Sequence, residues 1–324
     1  MIEKIWYKHS ILSYLLLPFS WLFWLIIFIR RWLYRLHLKK TYHFPVPIIV
    51  VGNITVGGTG KTPLVIWLAD LLMQQGFHPG IVSRGYKATK LSQPKLVTAN
   101  DEAFEVGDEP LIMARRAKCP VVIFPNRPKA IKSLIEKYNC DIIISDDGLQ
   151  HYSMARNIEI AVIDGQRKFG NGFLLPAGPL RESISRLKSV DFVIYNTIDM
   201  HLHPAIMLTK VNDPSKHIKV DELCGKKIHA CAGIGNPQRF FDTLRQLNLQ
   251  IIEHPFSDHY NFKSSDIDYG DEIVIMTEKD AVKCTSFVHN NHWFLPVTAE
   301  LTPEFTNKLL SRLADCVTNK SITS

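Results

Sequence analysis

The chain has 324 residues, of which 46% are hydrophobic and 21% are charged, and its formal net charge at pH 7 is +7. This balance is typical of a globular protein and excludes a disordered chain or a collagen-like fibre. The length is sufficient for two domains of medium size. A positive charge suits nucleic acid, an anionic membrane surface or a phosphorylated substrate. Because the sequence has no RNA-binding aromatic signature and no zinc-finger spacing, we expect no nucleic-acid partner.

The six cysteines are scattered and form no C-x-x-C pair. This spacing argues against a disulfide framework and against a structural zinc site. We therefore expect free thiols in a reducing compartment.

The amino-terminal region contains an uncharged apolar run over residues 11–29. As a helix this run would be about 28 Å long, close to the hydrocarbon thickness of a bilayer. Arg30 and Arg31 follow it in place of a small-residue cleavage site, which argues against a signal peptide. Pro18 and the flanking aromatic residues leave two membrane interpretations open, a spanning helix and a helix lying in the interface. A buried core helix is the third alternative.

A basic cluster directly behind the apolar run indicates how the chain would be oriented. Its members are Arg30, Arg31, Arg35, Lys39 and Lys40. The positive-inside rule places the rest of the chain in the cytoplasm if the helix spans the membrane. In either membrane interpretation, we expect the cluster to contact anionic headgroups on the cytoplasmic face.

From residue 47 onward, apolar β-branched runs alternate with segments of helical spacing. The runs predict strands over 47–53, 79–86, 120–126, 140–148, 158–165 and 189–196. The helical spacing predicts helices over 62–76, 109–117 and 128–138. This alternation predicts an α/β fold with a doubly wound parallel sheet, in which ligands bind at the carboxyl ends of the strands. Polar clusters fall at those ends, after Val51, Val82, Ile144 and Ile163.

The chain between about 200 and 222 is polar and irregular, and a second strand–helix series follows it. This series comprises 226–240, 250–256 and 271–283. We therefore predict three parts: a membrane-associated helix with its basic flank over 1–43, a core domain over 44–222, and a smaller α/β domain over 223–324.

The clearest chemical motif lies between the first predicted strand and the first predicted helix of the core. It reads Thr55-Val56-Gly57-Gly58-Thr59-Gly60-Lys61-Thr62. Glycines allow backbone N–H groups to surround phosphate oxygens, and the following helix directs its positive end at the same anion. Lys61 is placed to reach the β- and γ-phosphates of a nucleotide, and the Thr62 hydroxyl is placed to ligate Mg²⁺. The motif departs from the general P-loop pattern at its first position, which is Thr55 instead of glycine.

Acidic residues supply the second half of the predicted nucleotide site. Asp146 and Asp147 follow a β-branched strand, the position at which a P-loop protein places its metal-binding carboxylate. One of them would serve Mg²⁺ and the other a water or a second contact. Asp108 and Glu109 open a helix, where helix-capping acids are an equal alternative.

Two further features have open local interpretations. Arg181 and Glu182 follow a proline- and glycine-rich segment, and form either a surface pair or an arginine directed at a phosphate. His259 belongs to the second predicted domain, where a lone histidine is more often structural or exposed.

Taken together, these motifs resemble one family over most of the chain: the tetraacyldisaccharide 4′-kinases, which are the lipid A 4′-kinases of Gram-negative bacteria. The segments that carry the resemblance are 51–63, 83–86, 106–110, 144–152, 174–182, 232–240, 256–260 and 277–283. Thr55 at the first loop position is similar to the usual form in that family. The resemblance implies a P-loop NTPase-type fold with a second, smaller α/β domain.

The resemblance also implies an activity and roles for individual residues. The activity is transfer of the ATP γ-phosphate to the 4′-hydroxyl of tetraacyldisaccharide 1-phosphate in lipid A biosynthesis. Asp108 resembles the general base, assisted by His259, and such a pair accepts the hydroxyl proton while holding the carboxylate in place. Glu109, Arg181 and Glu182 resemble further active-site residues.

The same resemblance implies partners and a location. Loop residues 55–62 would bind ATP, while Thr62, Asp146 and Asp147 would serve Mg²⁺. We expect a monomer at the cytoplasmic face of the inner membrane, because the substrate is a bilayer lipid.

Two alternatives remain. One is a membrane-tethered P-loop ATPase acting as a switch; the signature lysine of the deviant-Walker class is replaced here by Val56. The other is a soluble small-molecule kinase or ligase with an incidental apolar leader.

Overall fold

The computed structural model describes residues 5–86 and 88–321. The apolar run forms two helices, α1 (Ile11–Leu15) and α2 (Leu17–Arg35). Pro18 lies in the first turn of α2, where the missing N–H would have no helical partner in any case. The proline therefore starts the second helix instead of kinking a single longer one.

Helix α2 is exposed along almost its whole length. Of the part of the chain described, it is the one helix long and apolar enough to cross a membrane, and only 6% of its apolar window is buried. Ser20 is the one buried residue of the helix. A core helix would be mostly buried, so the core-helix interpretation is wrong. The spanning and interfacial interpretations both stay open.

The first sheet forms the centre of the protein. Among the described residues it has nine strands in the order β15-β8-β7-β6-β1-β5-β2-β4-β3. The seven strands from β8 to β4 are parallel to their neighbours, as predicted, and β15 and β3 add antiparallel edges. Its strands are β1 (Ile48–Gly52), β2 (Pro79–Ser83), β3 (Lys95–Val97), β4 (Val121–Ile123), β5 (Ile142–Ser145), β6 (Ile158–Asp164), β7 (Phe192–Asn196), β8 (Met200–Pro204) and β15 (Val297–Leu301).

Helices cover both faces of this sheet. They are α3 (Lys61–Gln74), α4 (Ala103–Val106), α5 (Asp108–Arg116), α6 (Arg127–Tyr138) and α9 (Pro303–Ser321). Alternate residues of a strand point to opposite faces. Ile49 and Val51 accordingly share a core with residues of α3, α5 and α9, while Ile48 and Val50 pack on the other face with residues of α6. A strand buried on both faces reads as a continuous apolar run, which is why its position was predictable.

A second sheet has six strands within the described residues, in the order β10-β9-β14-β13-β11-β12. Its elements are β9 (Met207–Lys210), β10 (His217–Lys219), β11 (Lys227–Ala232), α7 (Pro237–Gln246), β12 (Gln250–Pro255), β13 (Ile273–Thr277), α8 (Glu278–Cys284) and β14 (His292–Leu295). Phe241 and Leu244 of α7 lie in the core on one face, and Ala281 and Cys284 of α8 lie in the core on the other.

The two sheets divide the chain differently from the predicted limits of 44–222 and 223–324. Strands β9 and β10 precede residue 222 but pair within the second sheet, and β15 and α9 return to the first. The region 200–222 is also not irregular, because it contains all of β8, β9 and β10. In β8, His201 and His203 are polar, and backbone pairing with β15 holds the strand. The division into domains stays a prediction.

Candidate active site

The glycine-rich loop joins β1 to α3, as the phosphate-loop motif requires. Gly57 and Gly60 have φ angles of 107° and 92°, in the region that favours glycine. Side chains at Gly57 or Gly58 would meet no atom within 4 Å in the described structure, whereas a Cβ atom at Gly235 would lie 3.3 Å from the Gly58 backbone nitrogen. Glycine at these positions allows an anion to approach the loop backbone closely.

Asn196, at the end of β7, stabilises the phosphate loop by a hydrogen bond. Its Nδ2 donates a hydrogen bond of 3.0 Å to the Thr59 carbonyl, and its side chain is fully buried. A Cβ atom at Gly60 would lie only 2.6 Å from the same Nδ2. Arg239, from α7, donates to the Asn196 Oδ1 at 3.1 Å. The loop conformation is therefore connected to a helix of the second sheet through one amide side chain.

A cavity of about 240 Å³ lies between the loop and the second sheet. On one side it is lined by loop residues 58–62 and by Glu109 of α5. On the other side the lining includes Asn236, Arg239 and Lys279. Both sheets thus contribute to the surface that a bound nucleotide would contact.

Lys61, Asp147 and Arg181 form a charged group beside the loop. The Arg181 Nη1 lies 3.1 and 2.9 Å from the two Asp147 carboxylate oxygens, and the Lys61 Nζ lies 3.5 Å from the Oδ1. Burial alone would raise the pKa of Asp147, but Lys61 and Arg181 hold it well below its usual range. The two predicted cations and one predicted acid are therefore in direct contact.

Asp146 is buried at the carboxyl end of β5. The Ser83 hydroxyl donates to its Oδ2 at 3.0 Å, and its Oδ1 is buried with no hydrogen-bond partner in the part of the chain described. Burial, with repulsion from Glu109 and Asp147, raises the pKa of Asp146 to about 7. A buried, unpartnered carboxylate oxygen suits a cation. Because Mg²⁺ takes one or two carboxylates together with phosphate oxygens, Thr62, Asp146 and Asp147 are a fitting donor set.

Asp108 and His259 are in contact although they lie 151 positions apart. The His259 Nδ1 is 2.9 Å from the Asp108 Oδ2, and the Glu109 backbone N–H donates to the Asp108 Oδ1 at 2.9 Å. Asp108 opens α5 directly after Gly107, whose φ is 91°. His259 itself has a φ of 56°, an uncommon conformation for a non-glycine residue and one that is often found at functional sites.

The Asp108 carboxyl group is ionised in this setting. Burial would raise its pKa, but the hydrogen bond with His259 and the charge of Lys279 outweigh burial and lower the pKa to about 2. The ring of Tyr86 meets the His259 ring at its edge, with centroids 5.4 Å apart. The carboxylate is thus charged, buried and held from two sides, so it is ionised and positioned to accept a proton, although its low pKa makes it a weak base.

The remaining two predicted residues, Glu109 and Glu182, have different surroundings. Glu109 lines the cavity, and its Oε1 lies 3.1 Å from the Lys279 Nζ. Glu182 is 2% exposed and accepts hydrogen bonds from the Gln150 Nε2, at 3.1 Å, and from the Tyr152 hydroxyl. Gln150 also donates to the Asn53 carbonyl at 3.0 Å, so Glu182 supports the start of the phosphate loop from behind.

Several neighbours of the site had no role in the sequence analysis. They are Ser83, Arg127, Asn196, Arg239 and Lys279. Ser83 and Asn196 each end a strand of the parallel sheet, and that position was the available signal. The buried Arg127 donates to the Ser145 hydroxyl at 2.6 Å and to the Asp147 carbonyl at 3.1 Å. It lies at the start of α6 and does not end a strand, so its position in the sequence did not indicate a role.

The amino-terminal helices are attached to the segment that leads to Arg181. The buried Ser20 hydroxyl donates to the Leu174 carbonyl at 2.8 Å and accepts from the Ala177 N–H at 3.1 Å. The Asn171 Nδ2 approaches the Ser13 hydroxyl at 3.4 Å. The exposed apolar helix is therefore hydrogen-bonded to a segment that lies only a few residues before Arg181 in the sequence.

The parallel sheet, the glycine-rich loop and the acids at the strand ends define an α/β protein with a phosphate-binding crevice. Comparison with known proteins then places the chain within a single family. The model of the tetraacyldisaccharide-1-P 4′-kinase family, LpxK, matches residues 12–314, so the chain belongs to that family.

Individual relatives agree with this assignment. A tetraacyldisaccharide 4′-kinase of Legionella pneumophila is 51% identical over 312 residues, which cover 94% of each chain. The protein of the same name from Methylobacillus flagellatus is 48% identical over 321 residues, covering 96% of this chain and 95% of its own. A crystal structure of LpxK from Aquifex aeolicus in complex with ATP is 31% identical, with a TM-score of 0.78, and the match covers 94% of this chain and 99% of that one.

Proposed function

We propose that this chain is a lipid kinase that transfers the ATP γ-phosphate to the 4′-hydroxyl of tetraacyldisaccharide 1-phosphate. The product is the 1,4′-bisphosphate, an intermediate of lipid A biosynthesis. The observation that carries the proposal is the position of the Asp108–His259 pair. Its neighbours Glu109 and Lys279 line the same cavity as the phosphate loop. A proton acceptor therefore lies next to the place where a nucleotide would present its phosphates.

On the nucleotide side, residues 55–62 bind the phosphates of ATP, with Lys61 neutralising charge on the β- and γ-phosphates. Thr62, Asp146 and Asp147 would hold Mg²⁺, which would supply further positive charge at the transferred group. Arg181 contacts Asp147 and is directed at the same anion. Water is excluded when the segments carrying His259 and Lys279 cover the cavity.

On the acceptor side, the 4′-hydroxyl lies against Asp108. The hydroxyl oxygen attacks the γ-phosphorus, the bond from that phosphorus to the β–γ bridging oxygen breaks, and ADP leaves. The hydroxyl proton passes to the Asp108 carboxylate, while His259 keeps that carboxylate oriented. Glu109 and Glu182 act as supporting residues of the same site.

The membrane-tethered ATPase alternative is less well supported. Val56 stands at the position where the deviant-Walker class carries its signature lysine. A switch that only hydrolyses ATP also has no need for a buried Asp108–His259 pair beside the cavity.

A phosphotransfer assay tests the proposal directly. The full chain is incubated with γ-labelled ATP, Mg²⁺ and tetraacyldisaccharide 1-phosphate in detergent micelles. We expect labelled lipid with the native chain and a loss of about 10²- to 10³-fold in Lys61→Met. Lys132→Met is the matched control, since Lys132 is exposed and pairs only with the exposed Glu136 in the described structure. Label released as free phosphate, with none in the lipid, would favour the ATPase alternative.

We further propose that α2 holds the enzyme at the cytoplasmic face of the inner membrane. The substrate has four acyl chains, and exposing them to water would cost about 0.8 kcal/mol per CH₂ group. An enzyme bound at the surface avoids most of that cost. The exposed apolar helix and the basic cluster behind it support this location.

Flotation with vesicles of zwitterionic and anionic lipid tests the location. We expect the full chain to float, and more of it to float with anionic lipid. A chain lacking residues 1–40 should stay with the soluble fraction. If that shortened chain retained full activity on the lipid, the soluble-kinase alternative would replace the membrane proposal.

A further inference from the structure

Lys279 is a half-buried cation that contacts both Glu109 and His259, and it has no role in the chemistry of the mechanism proposed above. It lies in the first turn of α8, directly after β13, and its side chain is 18% exposed. Its Nζ lies 3.1 Å from the Glu109 Oε1, 3.2 Å from the His259 Nε2 and 3.6 Å from the Asp258 Oδ1. It therefore joins the second sheet to α5 of the first.

The contact between Lys279 and His259 restricts where the imidazole proton lies. Burial would lower the pKa of Lys279, but Glu109 and Asp108 outweigh burial and raise it, so the side chain is an ammonium group. An ammonium group has only N–H donors and no acceptor. The His259 Nε2 at 3.2 Å must therefore accept, which makes it the unprotonated nitrogen of a neutral ring. The proton then resides on Nδ1, the atom that lies 2.9 Å from the Asp108 Oδ2.

We propose that Lys279 is a positioning residue that holds His259 neutral, with its proton on Nδ1, so that the hydroxyl proton is taken by Asp108 and not by His259. This inference rests on the proposed function, because it assigns the proton acceptor of that reaction. Protonating His259 at Nε2 would place a second positive charge 3.2 Å from the Lys279 Nζ and remove the acceptor of its hydrogen bond. The imidazole consequently acts as a donor to Asp108 throughout the transfer.

The ion pair with Glu109 keeps Lys279 in this geometry. Glu109 follows Asp108 in α5, so the carboxylate that orients the lysine and the carboxylate that accepts the proton move together. In the part of the chain described, the charged or titratable groups that face His259 include Asp108 in α5, Lys279 in α8, the preceding Asp258, and Tyr86 after β2.

Nitrogen-15 NMR of the histidine rings provides a readout that does not depend on activity. The full chain, in micelles, is labelled at its histidines, and His259→Asn identifies the His259 signals by their loss. We expect a protonated Nδ1 and an unprotonated Nε2 at pH 7 in the native chain. In Lys279→Met the Nε2 should become protonated as well, while Nδ1 keeps the proton that it donates to the ionised Asp108. In Lys279→Gln, whose amide still donates to Nε2, the native pattern should persist. A native chain with its proton on Nε2, or on both nitrogens, would overturn the proposal.

Steady-state kinetics then test whether Lys279 acts through His259 or directly on the phosphates of ATP. We expect Lys279→Met to lower kcat by about tenfold to a hundredfold, and Lys279→Gln to restore part of that loss.

A variant that already lacks the imidazole gives the deciding comparison. If Lys279 acts through His259, Lys279→Met should have a much smaller effect on kcat in a His259→Ala background than in the native chain. An equal fold-loss in both backgrounds would contradict the proposal and indicate direct contact with ATP. Lys132→Met controls for the loss of one positive charge, and its kcat should not change. A native chain that fails to label the lipid would count against the proposed function, whereas the NMR pattern would still test the position of the proton.

Discussion

The phosphate loop lines the cavity and the Asp108–His259 pair lies beside it, next to the lining residues Glu109 and Lys279, but the two are assembled by different means. The loop lies within one strand–loop–helix unit, so its glycines, Lys61 and Thr62 are neighbours in the sequence. The pair joins residues 151 positions apart, one from each sheet region. The loop depends mainly on β1 and α3, with one connection to the second sheet through Asn196 and Arg239, whereas the pair exists only when the second sheet is in place. We therefore expect substitutions in the loop to affect mainly nucleotide binding and substitutions in the pair to affect mainly the chemical step.

The largest effect is expected at Asp108, which takes part both in the long-range contact with His259 and in the proposed proton transfer. Asp108→Asn keeps the shape of the side chain but removes the proton-accepting charge. We expect kcat to fall by about 10²- to 10⁴-fold, while binding of ATP changes little. Asp141→Asn is a suitable control, because Asp141 lies at the opposite end of the parallel sheet, before β5. A large loss of ATP affinity in Asp108→Asn would mean that nucleotide binding depends on the Asp108–His259 pair, contrary to our expectation.

A smaller effect is expected at Asn196, which connects the phosphate loop to Arg239 of α7. Asn196→Ala removes the donor to the Thr59 carbonyl and leaves Arg239 without its amide acceptor. We expect the KM for ATP to rise by up to about tenfold, with a smaller change in kcat, as for a lost contact of about 1 kcal/mol. Steady-state kinetics at saturating lipid would measure both. An effect on kcat alone would mean that Asn196 serves the reacting groups instead of the loop.

The attachment of α2 is expected to influence the lipid side only. Ser20→Ala removes one donor and one acceptor from the buried contact with Leu174 and Ala177, at a cost of about 1–3 kcal/mol in the free energy of unfolding. We expect the apparent KM for the lipid to rise a few-fold and the KM for ATP to stay constant. Denaturant unfolding and kinetics at two lipid concentrations check this, with Ser215→Ala, in an exposed loop, as control.

The smallest effect concerns stability at low pH. In the folded state the pKa of Asp108 is lowered from 3.8 to about 2, so its ionised form favours folding above its unfolded pKa. This contribution is lost as the pH falls through the folded value. The stability of the native chain relative to Asp108→Asn should therefore be constant from pH 7 to about 5 and decline below about 4. Denaturant titrations over this range measure it, and an advantage that grew on acidification would contradict the assignment.

Much of the fold could be predicted because its signals are local. Strand β1 is a continuous apolar run, and the glycines and Lys61 directly follow it. The strands missed in the sequence analysis include β15, at the edge of the first sheet, and β8 beside it, and in both strands exposed residues alternate with less exposed ones. Their pairing depends on a partner about a hundred residues away, since β8 pairs with β15 at Met200 and Leu301. No short segment contains that information.

The candidate site likewise combines residues that local sequence predicted with residues that it did not. Residues 55–62 were predicted from the phosphate-loop motif between a strand and a helix, and Asp146 and Asp147 from their position at the end of a strand. The roles of Asp108 and His259 came from resemblance to a family, since a capping acid and a lone histidine have ordinary local explanations. Lys279 shows the limit of both approaches: its motif was noted, but its contacts with Glu109 and His259 exist only between elements of different sheets.

The central claim is that Asp108 and His259 act as one unit in phosphate transfer. A double-mutant cycle on kcat tests it most directly, with Asp108→Asn, His259→Ala and the combined variant assayed with γ-labelled ATP and the lipid. We predict that His259→Ala lowers kcat strongly in the native chain but has little further effect in Asp108→Asn, because the residue it orients is already lost. If the two losses instead multiplied, the residues would be acting independently, and the account of a shared proton-accepting unit would be wrong.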